Sequence, residues 1–511
     1  MLIKTYGCAV YGIDAIPITV ETNIGRGINF YLVGLPDSAV KESHQRIKAA
    51  FTNSSFKFPG KEVTVNMAPA DIRKEGSAYD LTIAVGVLAA SGQINGEHVE
   101  DYLIMGELSL DGGLRPIKGA LPIALKAKEL GFKGFILPVQ NAKEVAIVEG
   151  INIYGIEHLD EVVDFFNGNC DLTATQFEFE DTHELPGDYQ IDFSDVKGQE
   201  NVKRALEIAA AGGHNILLVG PPGSGKTMLA KRLPSILPPL TIDEALETTK
   251  IHSVAGLIGA NGGLVMQRPF RSPHHTVSDV ALVGGGSHPK PGEISLAHNG
   301  ILFLDELPEY KRQVLEVMRQ PLEDRVVSIS RAKMSVDYPA GFMLVASMNP
   351  SPSGNFYDPN DPNSDPEYTV KRYLSKISGP LMDRIDLHIE VPAVKFDQLS
   401  DNRKGEGSAQ IRERVVQARK LQANRLKEIQ GVHYNAQLNS QMIEKFCKID
   451  ATAKKLIKTA MDKMGFSARS YARILKVSRT IADLDRSNQI KATHIAEAIS
   501  FRSLDRDGWL S

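Results

Sequence analysis

The chain has 511 residues, a hydrophobic content of 42%, a charged content of 23% and a formal net charge of −4. That length exceeds what one hydrophobic core usually serves, so we expect a globular protein of two or three domains. The net charge excludes a generally basic surface, and any contact with nucleic acid must therefore be local. The cysteines, Cys8, Cys170 and Cys447, are far apart and form no disulfide or metal-binding pattern. Because no signal-peptide core and no apolar run of membrane-spanning length is found, we expect a cytoplasmic protein without a membrane partner.

The first segment, residues 1–166, has the pattern of an α/β domain. Residues 16–21 and 63–67 alternate between apolar and polar side chains as strands do. Residues 40–51 and 120–130 instead have helical spacing. An acidic stretch with little periodicity follows over residues 167–190, which indicates a solvated linker.

Two motifs in this first domain resemble the protease domain of Lon. They are EGSAYDLT at residues 75–82 and GELSLDGGLRPI at residues 106–117. In that family a serine nucleophile lies in the first motif and a lysine base follows the second. Here those positions fall on Ala78 and Leu121, and both Ser77 and Lys118 are out of register. Without a hydroxyl and an amine in reach of each other there is no activated nucleophile. The resemblance therefore implies a Lon-like fold that lacks peptidase activity.

The next segment, residues 191–394, contains a phosphate-binding pattern. The motif is GPPGSGKT at residues 220–227. The apolar run 216–219 before it indicates a buried strand, and residues 228–230 after it indicate the beginning of a helix. Glycines allow backbone N–H groups to turn toward an anion, Lys226 can reach β- and γ-phosphates, and Thr227 can bind Mg²⁺. The sequence therefore predicts a nucleotide site formed by Gly220, Pro221, Pro222, Gly223, Ser224, Gly225, Lys226 and Thr227.

Polar residues follow two further buried strands of this segment. GILFLDE at residues 300–306 ends in Asp305 and Glu306, which suit a Mg²⁺-associated carboxylate and a base that orients water. Taken alone, two acidic residues after a core strand are also common on protein surfaces. GFMLVASMNP at residues 341–350 ends near Asn349, an amide that could bind the attacking water or the γ-phosphate.

A basic residue, Arg384, lies between apolar residues in GPLMDRIDL at residues 379–387, which we interpret as a short helix. An arginine in this position suits a charge clamp on a neighbouring subunit's phosphate. The alternative is an ion pair within the chain to Asp383 or Asp386.

Taken together, these motifs resemble the AAA+ ATPases, and among them the Mg-chelatase-like family, which is related to the MCM helicases and includes competence-associated proteins. RPFRSPHHT at residues 268–276 and PKPGEISLAHNG at residues 289–300 are characteristic of that family. The resemblance implies an α/β AAA+ core, ATP and Mg²⁺ as cofactors, and a homohexamer.

The resemblance also implies a role for individual residues. Lys226 and Thr227 match the Walker A pair, and Asp305 and Glu306 match the Walker B pair. Asn349 matches sensor 1, Arg384 the arginine finger and Arg469 sensor 2, although Arg473, one helical turn away, could take that last role. Many relatives have cysteines after the sensor-1 residue, where this chain has Ser351 and Ser353, so we expect no structural zinc.

Two inserts in the ATPase segment indicate which kind of substrate the motor binds. Residues 251–292 are rich in glycine and poor in acid, with Arg268 and Arg271 as basic candidates. Residues 326–330 and 334–338 have the pattern of a hairpin, with Arg331 and Lys333 at its tip. In the helicase relatives such inserts line the pore and hold DNA, so these four residues are DNA-contact candidates; the alternative for the tip is a solvated turn. His274 and His275 are adjacent and share no face, which argues against a chelating pair.

From residue 405 to residue 511 the chain has a helical pattern, with helices predicted over residues 411–430, 442–447, 453–464, 468–484 and 493–499. This segment is expected to form the helical lid of the ATPase. The sequence therefore predicts an ATP-hydrolysing ring motor acting on DNA, single-stranded or branched, as a branch-migration helicase in recombination during natural transformation. The alternative is a chelatase-type remodeller that acts on a protein partner.

Overall fold

The computed structural model describes residues 2–176, 191–258, 263–286, 289–331, 334–355, 365–394 and 405–502, with the backbone alone at residues 331 and 334. None of the helices within these ranges combines the length and the apolar character needed to span a lipid bilayer.

The N-terminal part is a mixed sheet of seven strands covered by helices. The strands of this part of the chain are β1 (Leu2–Tyr11), β2 (Asp14–Gly25), β3 (Phe30–Val33), β4 (Glu62–Ala68), β5 (Tyr102–Ile104), β6 (Glu107–Leu108), β7 (Leu114–Arg115), β8 (Gly134–Pro138) and β9 (Asn152–Ile156). Its helices are α1 (Ser38–Asn53), α2 (Asp80–Ala90), α3 (Ala120–Glu129), α4 (Val139–Val145) and α5 (Leu159–Phe166). The sheet order is β3-β4-β2-β1-β5-β8-β9, while β6 and β7 form a separate small hairpin. The two strands and two helices that the pattern predicts here are all present.

A second sheet of five parallel strands begins after residue 191. The strands of this part are β10 (Ile216–Val219), β11 (Phe270–Arg271), β12 (Gly284–Gly285), β13 (Lys290–Pro291), β14 (Ile301–Leu304), β15 (Val326–Arg331), β16 (Met334–Pro339), β17 (Met343–Met348) and β18 (Leu387–Glu390). The helices are α6 (Glu200–Gly212), α7 (Lys226–Arg232), α8 (Ile242–Ala255), α9 (Asp279–Val283), α10 (Glu293–Leu296), α11 (Arg312–Val317), α12 (Arg319–Asp324), α13 (Glu367–Leu374) and α14 (Gly379–Met382). The sheet order is β11-β14-β17-β10-β18. β10, which leads into the phosphate loop, therefore lies between β17, which Asn349 follows, and β18, which Asp386 precedes.

The two faces of this sheet contribute to two different cores. In β10, Ile216 and Leu218 pack into a cluster shared with the C-terminal helices, whereas Leu217 and Val219 pack into the opposite cluster. Because side chains alternate along a strand, an apolar run such as ILLV is expected where both faces are covered. A sheet covered on both faces leaves only the strand ends for ligands, and in open parallel sheets ligands bind at the carboxyl ends.

The C-terminal part is helical. Its helices are α15 (Ser408–Leu426), α16 (Ser440–Phe446), α17 (Ala451–Met464), α18 (Ala468–Leu484) and α19 (Ala492–Ser500). Single-turn 3₁₀ helices occur at Val99–Asp101, Phe193–Asp195, Leu233–Ile236, Leu307–Glu309 and Asn435–Gln437. The first predicted helix extends to residue 430, but α15 ends at Leu426, four residues before Gln430.

Candidate nucleotide-binding site

Residues 220–225 form the loop between β10 and α7, and glycine is required at both of its ends. A Cβ atom on Gly220 would lie 2.2 Å from the carbonyl oxygen of Val391, which is too close for any side chain. Gly225 has a φ of +90°, a backbone conformation that other residues rarely adopt. The loop is therefore held close to the end of β18 while its amides remain able to face an anion.

Lys226 is the first residue of α7, and its amine points back into this loop. Its Nζ donates hydrogen bonds to the carbonyl oxygens of Gly220 at 2.7 Å and Pro221 at 2.9 Å, and to Oδ1 of Asn349 at 3.1 Å. Burial lowers the pKa of this amine, and the nearby carboxylates of Asp305 and Glu306 oppose that effect. The sequence separates Lys226 and Asn349 by 123 residues, and the sheet brings them together because β10 and β17 are neighbours.

Asp305 follows β14 and accepts hydrogen bonds from two hydroxyl groups. Thr227 Oγ1 donates to its Oδ2 at 2.7 Å, and Ser347 Oγ donates to its Oδ1. The Thr227 hydroxyl and the Asp305 carboxylate thus place hard oxygen atoms side by side, the ligand type that Mg²⁺ prefers. Sequence reasoning did not find Ser347; the available signal was a lone hydroxyl in the otherwise apolar strand β17.

Glu306 lies beside Asp305 but points to a different partner. Its φ is +54°, in the left-handed region, and its side chain is exposed. Its Oε2 lies 3.7 Å from Nδ1 of His275, whose ring contacts the ring of His274. The sequence motif around His275 therefore reaches the end of the site that holds Asp305 and Glu306, a connection that the sequence pattern did not reveal.

Gln199 is another site-supporting residue that sequence reasoning missed. Its Nε2 donates to the carbonyl oxygens of Ser224 at 2.9 Å and Pro392 at 3.0 Å, which ties the phosphate loop to the end of β18. Gln199 itself has a φ of +58° just before α6. The sequence offered only its position beside Gly198 as a signal.

Arg384 follows α14 instead of lying within it, because that helix ends at Met382. Its guanidinium donates to the carbonyl oxygens of Pro380 at 2.7 Å and Arg319 at 3.1 Å and pairs with Glu323. The ion pair within the chain thus involves Glu323, and neither Asp383 nor Asp386 is the partner. These contacts lie beside a cavity of about 490 Å³ lined by residues of α11, α12 and β15. A role as a clamp for another subunit stays a prediction.

The two sensor-2 candidates lie on α18 and pair with different carboxylates. Arg469 Nη1 lies 3.0 Å from Asp383 Oδ2, with 69% of its side chain exposed, whereas Arg473 pairs with the buried Asp386. Asp386 also lies 3.4 Å from His214 Nδ1 and accepts a hydrogen bond from the backbone N–H of Asn215 at 3.1 Å. Arg473 is therefore part of the junction between the lid and the ATPase sheet, which leaves Arg469 as the more accessible of the two.

Arg268 and Arg271, two of the DNA-contact candidates, are both engaged within the chain. Arg268 donates to Pro238 O at 2.5 Å, Asn299 O at 2.7 Å and Glu244 Oε2 at 2.9 Å. Arg271 forms a two-pronged pair with Glu293, at 2.6 and 2.7 Å. These guanidinium groups join segments of the ATPase core, and a contact of either with DNA stays a prediction.

The predicted hairpin is present as β15 and β16, which pair antiparallel from Val326 with Pro339 to Arg331 with Met334. Lys333 lies outside the described residues, and for Arg331 only the backbone is described. Val327, Ile329, Val336 and Tyr338 of the two strands are buried in the core cluster on one face of the ATPase sheet. The described part of the hairpin is therefore packed on the core along one face.

Zinc ligands were not expected after Asn349, and the start of that loop is held by serines. Ser351 and Ser353 share a hydrogen bond of 3.0 Å, and the backbone N–H of Ser353 donates to Asp365 at 2.8 Å. Residues 356–364 lie outside the described residues. Within the described ranges, no group of three or more His, Cys, Asp or Glu side chains could hold a metal ion.

The residues at the Lon-like positions have separate surroundings. Leu121 is fully buried at the start of α3, and Ser77 donates to Glu107. The alkyl chain of Lys118 instead lies against Gly256, at the end of α8. The structure therefore gives Ser77 and Lys118 different partners, and the absence of peptidase activity stays a prediction.

Comparison with known proteins gives matches along most of the chain. Residues 192–399 match the family described as "Magnesium chelatase, subunit ChlI", residues 20–141 match "Subunit ChlI of Mg-chelatase", and residues 405–502 match "Magnesium chelatase, subunit ChlI C-terminal". Lon protease 2 of Bacillus subtilis is 31% identical over 157 residues, which cover 28% of this chain and 27% of that protein.

Full-length relatives match more strongly. Competence protein ComM of Haemophilus influenzae is 46% identical over 504 residues, covering 98% of this chain and 97% of its own length. The protein YifB of Escherichia coli is 44% identical over 500 residues, covering 98% and 96%. The chain therefore belongs to the Mg-chelatase-like AAA+ family, together with ComM and YifB.

Proposed function

We propose that this protein is an ATP-hydrolysing ring motor that acts on DNA. One observation carries the ATPase part: the Lys226 amine, the Thr227 hydroxyl, the Asp305 carboxylate and the Asn349 amide converge at the carboxyl ends of three parallel strands. These groups come from three places in the chain, residues 226–227, 305 and 349, and supply a cation, hard oxygen ligands and a polar amide to one spot. Phosphoryl transfer needs this set, because its catalysis is mostly positioning and charge stabilisation.

Each residue has a distinct role in this proposal. The loop amides and Lys226 bind the β- and γ-phosphates, and Asn349 holds the lysine amine and orients the γ-phosphate end of the site. Thr227 and Asp305 would hold Mg²⁺, whose charge offsets that of the phosphates when it is bound. Glu306 orients the attacking water, and release from His275 is needed before it can do so. Arg384 completes the site of the next subunit in a ring.

DNA as the substrate rests on two supports. The name of the H. influenzae relative associates it with competence, and this chain matches it over 98% of its length. Arg331 ends β15, and Lys333 lies in the sequence between β15 and β16, whose Val327, Ile329, Val336 and Tyr338 side chains are packed in the core. A local basic tip can bind phosphates even though the whole chain has a net charge of −4. Branch migration of a DNA junction is the specific activity we propose.

Remodelling of a protein partner is the second candidate. The observation that favours it is the pairing of Arg268 with Glu244 and of Arg271 with Glu293, which offsets the charge of two of the four DNA-contact candidates. The three chelatase matches point in the same direction.

The two candidates are separated by the ATPase rate measured with single-stranded, duplex and branched DNA at two salt concentrations. For a DNA motor we expect stimulation that weakens steeply with salt and is lost in Arg331→Ala/Lys333→Ala, because phosphate binding releases counterions. Lys454→Ala/Lys455→Ala removes the same number of charges from an exposed part of α17 and should keep the stimulation. An absence of binding to every DNA form at low salt, with a slowly hydrolysed ATP analogue present, would favour a protein substrate.

A further inference from the structure

The turn between β1 and β2 joins the N-terminal domain to the hairpin of the ATPase core. Tyr11, Gly12, Ile13 and Asp14 form this turn, which we call the β1–β2 turn. The Tyr11 hydroxyl donates a hydrogen bond to the carbonyl oxygen of Ser335 at 3.1 Å. Ser335 is in β16, next to the hairpin tip, and it is 324 residues from Tyr11 in the chain.

Close packing accompanies that hydrogen bond. Gly12 has a φ of +65°, and a Cβ atom there would lie only 2.6 Å from Cγ1 of Val336. Ile13 packs against the same core cluster that contains Val336, and Val336 is 5% exposed. The turn therefore contacts two neighbouring hairpin residues, Ser335 through its backbone carbonyl and Val336 through its side chain.

A second contact fixes the N-terminal domain relative to the ATPase core. The backbone N–H of Gly119, at the start of α3, donates to Ser253 O at 3.1 Å, and Leu246 of α8 packs against the N-terminal core cluster. Asn299, just before β14, donates a hydrogen bond from Nδ2 to the carbonyl oxygen of Glu244 in α8. The N-terminal domain, which contains the β1–β2 turn, therefore contacts a helix that is itself bound to the ATPase sheet.

A two-stranded hairpin is marginally stable in water without other support. The base of this one is buried in the core, but the strand ends next to the tip have exposed positions, including Ser330 and Ser335. The β1–β2 turn adds a contact at the exposed Ser335, beside the core packing of Val336. Loss of this contact would let the Ser335 end of β16 open while the base stayed in place.

We infer that the N-terminal domain is a brace for the substrate-binding hairpin, and that Tyr11 and Ile13 are positioning residues for the part of β16 that contains Ser335 and Val336. This inference rests on the proposed function for the role of the hairpin, although the brace itself is a property of the chain alone. It assigns a mechanical task to a Lon-like domain that lacks the catalytic pair: it holds the Ser335 end of β16 in place so that ATP-driven movement of the core reaches the substrate.

Amide hydrogen exchange of the full-length protein tests the brace without DNA. The variant Tyr11→Phe/Ile13→Ala should exchange about tenfold faster over residues 326–339, because fewer contacts oppose local opening. Exchange in β10, β14 and β17 should be unchanged. Ile28→Ala is the matched control, since Ile28 belongs to the same domain and is 88% exposed; its hairpin should exchange as in the wild type. Unchanged exchange of residues 326–339 in the double variant would overturn the brace.

The ATPase rate of the same variants then connects the brace to the motor. We expect Tyr11→Phe/Ile13→Ala to retain the basal rate and to lose most of its stimulation by branched DNA, while Ile28→Ala keeps both. If the wild type shows no stimulation by any DNA, the proposed substrate is wrong, and the exchange result still decides whether the brace exists. If the double variant exchanges faster but is stimulated as the wild type is, the role of the brace in positioning is overturned.

Discussion

In the proposed mechanism, Lys226 and Glu306 act on different steps at the two ends of the nucleotide site. Lys226 lies in the phosphate loop and contacts Gly220, Pro221 and Asn349, whereas Glu306 contacts His275 on the far side of Asp305. One is placed to bind phosphate and the other to orient water, so substitution of each should have a different effect.

Replacement of Lys226 by Ala should abolish both ATP binding and turnover. Glu306→Gln keeps the size of the side chain but removes its charge, so it should bind ATP normally and lower kcat by about 10²- to 10⁴-fold. Binding is measured by a fluorescent ATP analogue and turnover by phosphate release. Glu309→Gln, an exposed carboxylate that pairs with Lys376 at 3.3 Å, is the control and should hydrolyse ATP at the wild-type rate. A Glu306→Gln protein with normal turnover would remove Glu306 from the proposed mechanism.

Ala78 and Leu121 predict that the N-terminal domain cleaves no peptide bonds. Neither side chain can act as nucleophile or base, and Ser77 is occupied by Glu107. Unfolded casein incubated with the protein and Mg·ATP should therefore stay intact over hours on a denaturing gel. Cleavage that Ser77→Ala abolishes would show that the alignment with the Lon motifs is out by one residue.

The sequence predicted those site residues that a local motif marks, and it missed those that only the fold brings near. Lys226, Thr227, Asp305 and Asn349 each follow an apolar strand, so periodicity and motif placed them on the same sheet edge. Gln199, Ser347 and His275 support them from other segments, and a single hydroxyl, amide or imidazole has no spacing that marks it. The intrachain partners of Arg268 and Arg271 were missed for a similar reason, since Glu244 and Glu293 are 24 and 22 residues away.

At the scale of elements, the junction between α18 and β18 connects the lid to the ATPase sheet through buried charge. Burial alone would raise the pKa of Asp386, but Arg473 and His214 outweigh that effect and hold the pKa well below its ordinary value. Burial lowers the pKa of His214, and Asp386 opposes this only in part. His214 also hydrogen-bonds to Thr480 of α18 at 2.8 Å. The folded junction therefore favours a neutral histidine beside an ionised aspartate.

Acid should weaken this junction in two steps. His214 has a lowered pKa when folded, so its contribution is complete above about pH 6.5, the unfolded value, and falls below it as the unfolded state gains the proton. The slope from one such histidine is at most about 1.4 kcal/mol per pH unit. Asp386 adds a second loss of stability below about pH 4, because its pKa in the folded state also lies below its unfolded value.

The measurement is urea unfolding of the wild type and of His214→Gln between pH 7.5 and pH 5.5. We expect His214→Gln to be less stable at pH 7.5 but to lose less further stability on acidification than the wild type does. Since other buried histidines also contribute to the wild-type slope, the difference between the two proteins is the relevant quantity. His433→Gln, at an exposed position, should match the wild type at each pH. Parallel pH profiles for wild type and His214→Gln would contradict the assignment.

At the scale of the whole molecule, we propose that the nucleotide site is completed only between two subunits. Within one chain Arg384 contacts Glu323, Pro380 and Arg319, and none of its described contacts is to the phosphate loop. A ring would let the same guanidinium reach the nucleotide of a neighbour, at the cost of an ion pair with a 64% exposed carboxylate, which contributes little in solvent.

Mixing two inactive variants tests that shared site. Arg384→Ala retains an intact Lys226 site, and Lys226→Ala retains an intact Arg384. When the two are mixed and allowed to exchange subunits, some sites combine both groups, so ATPase activity should return to a fraction of the wild-type rate. Neither variant should recover when incubated alone. An Arg384→Ala protein with full activity, or full wild-type activity in a monomeric sample, would contradict a shared site.

Movement of a synthetic four-way DNA junction by the wild-type protein tests the central claim most directly. The account predicts that junctions separate into two duplexes in the presence of Mg·ATP, that Glu306→Gln binds the junction but leaves it intact, and that Arg331→Ala/Lys333→Ala hydrolyses ATP without moving it. The contradicting result is a wild-type protein that hydrolyses ATP at the same rate with and without DNA and leaves every junction unchanged.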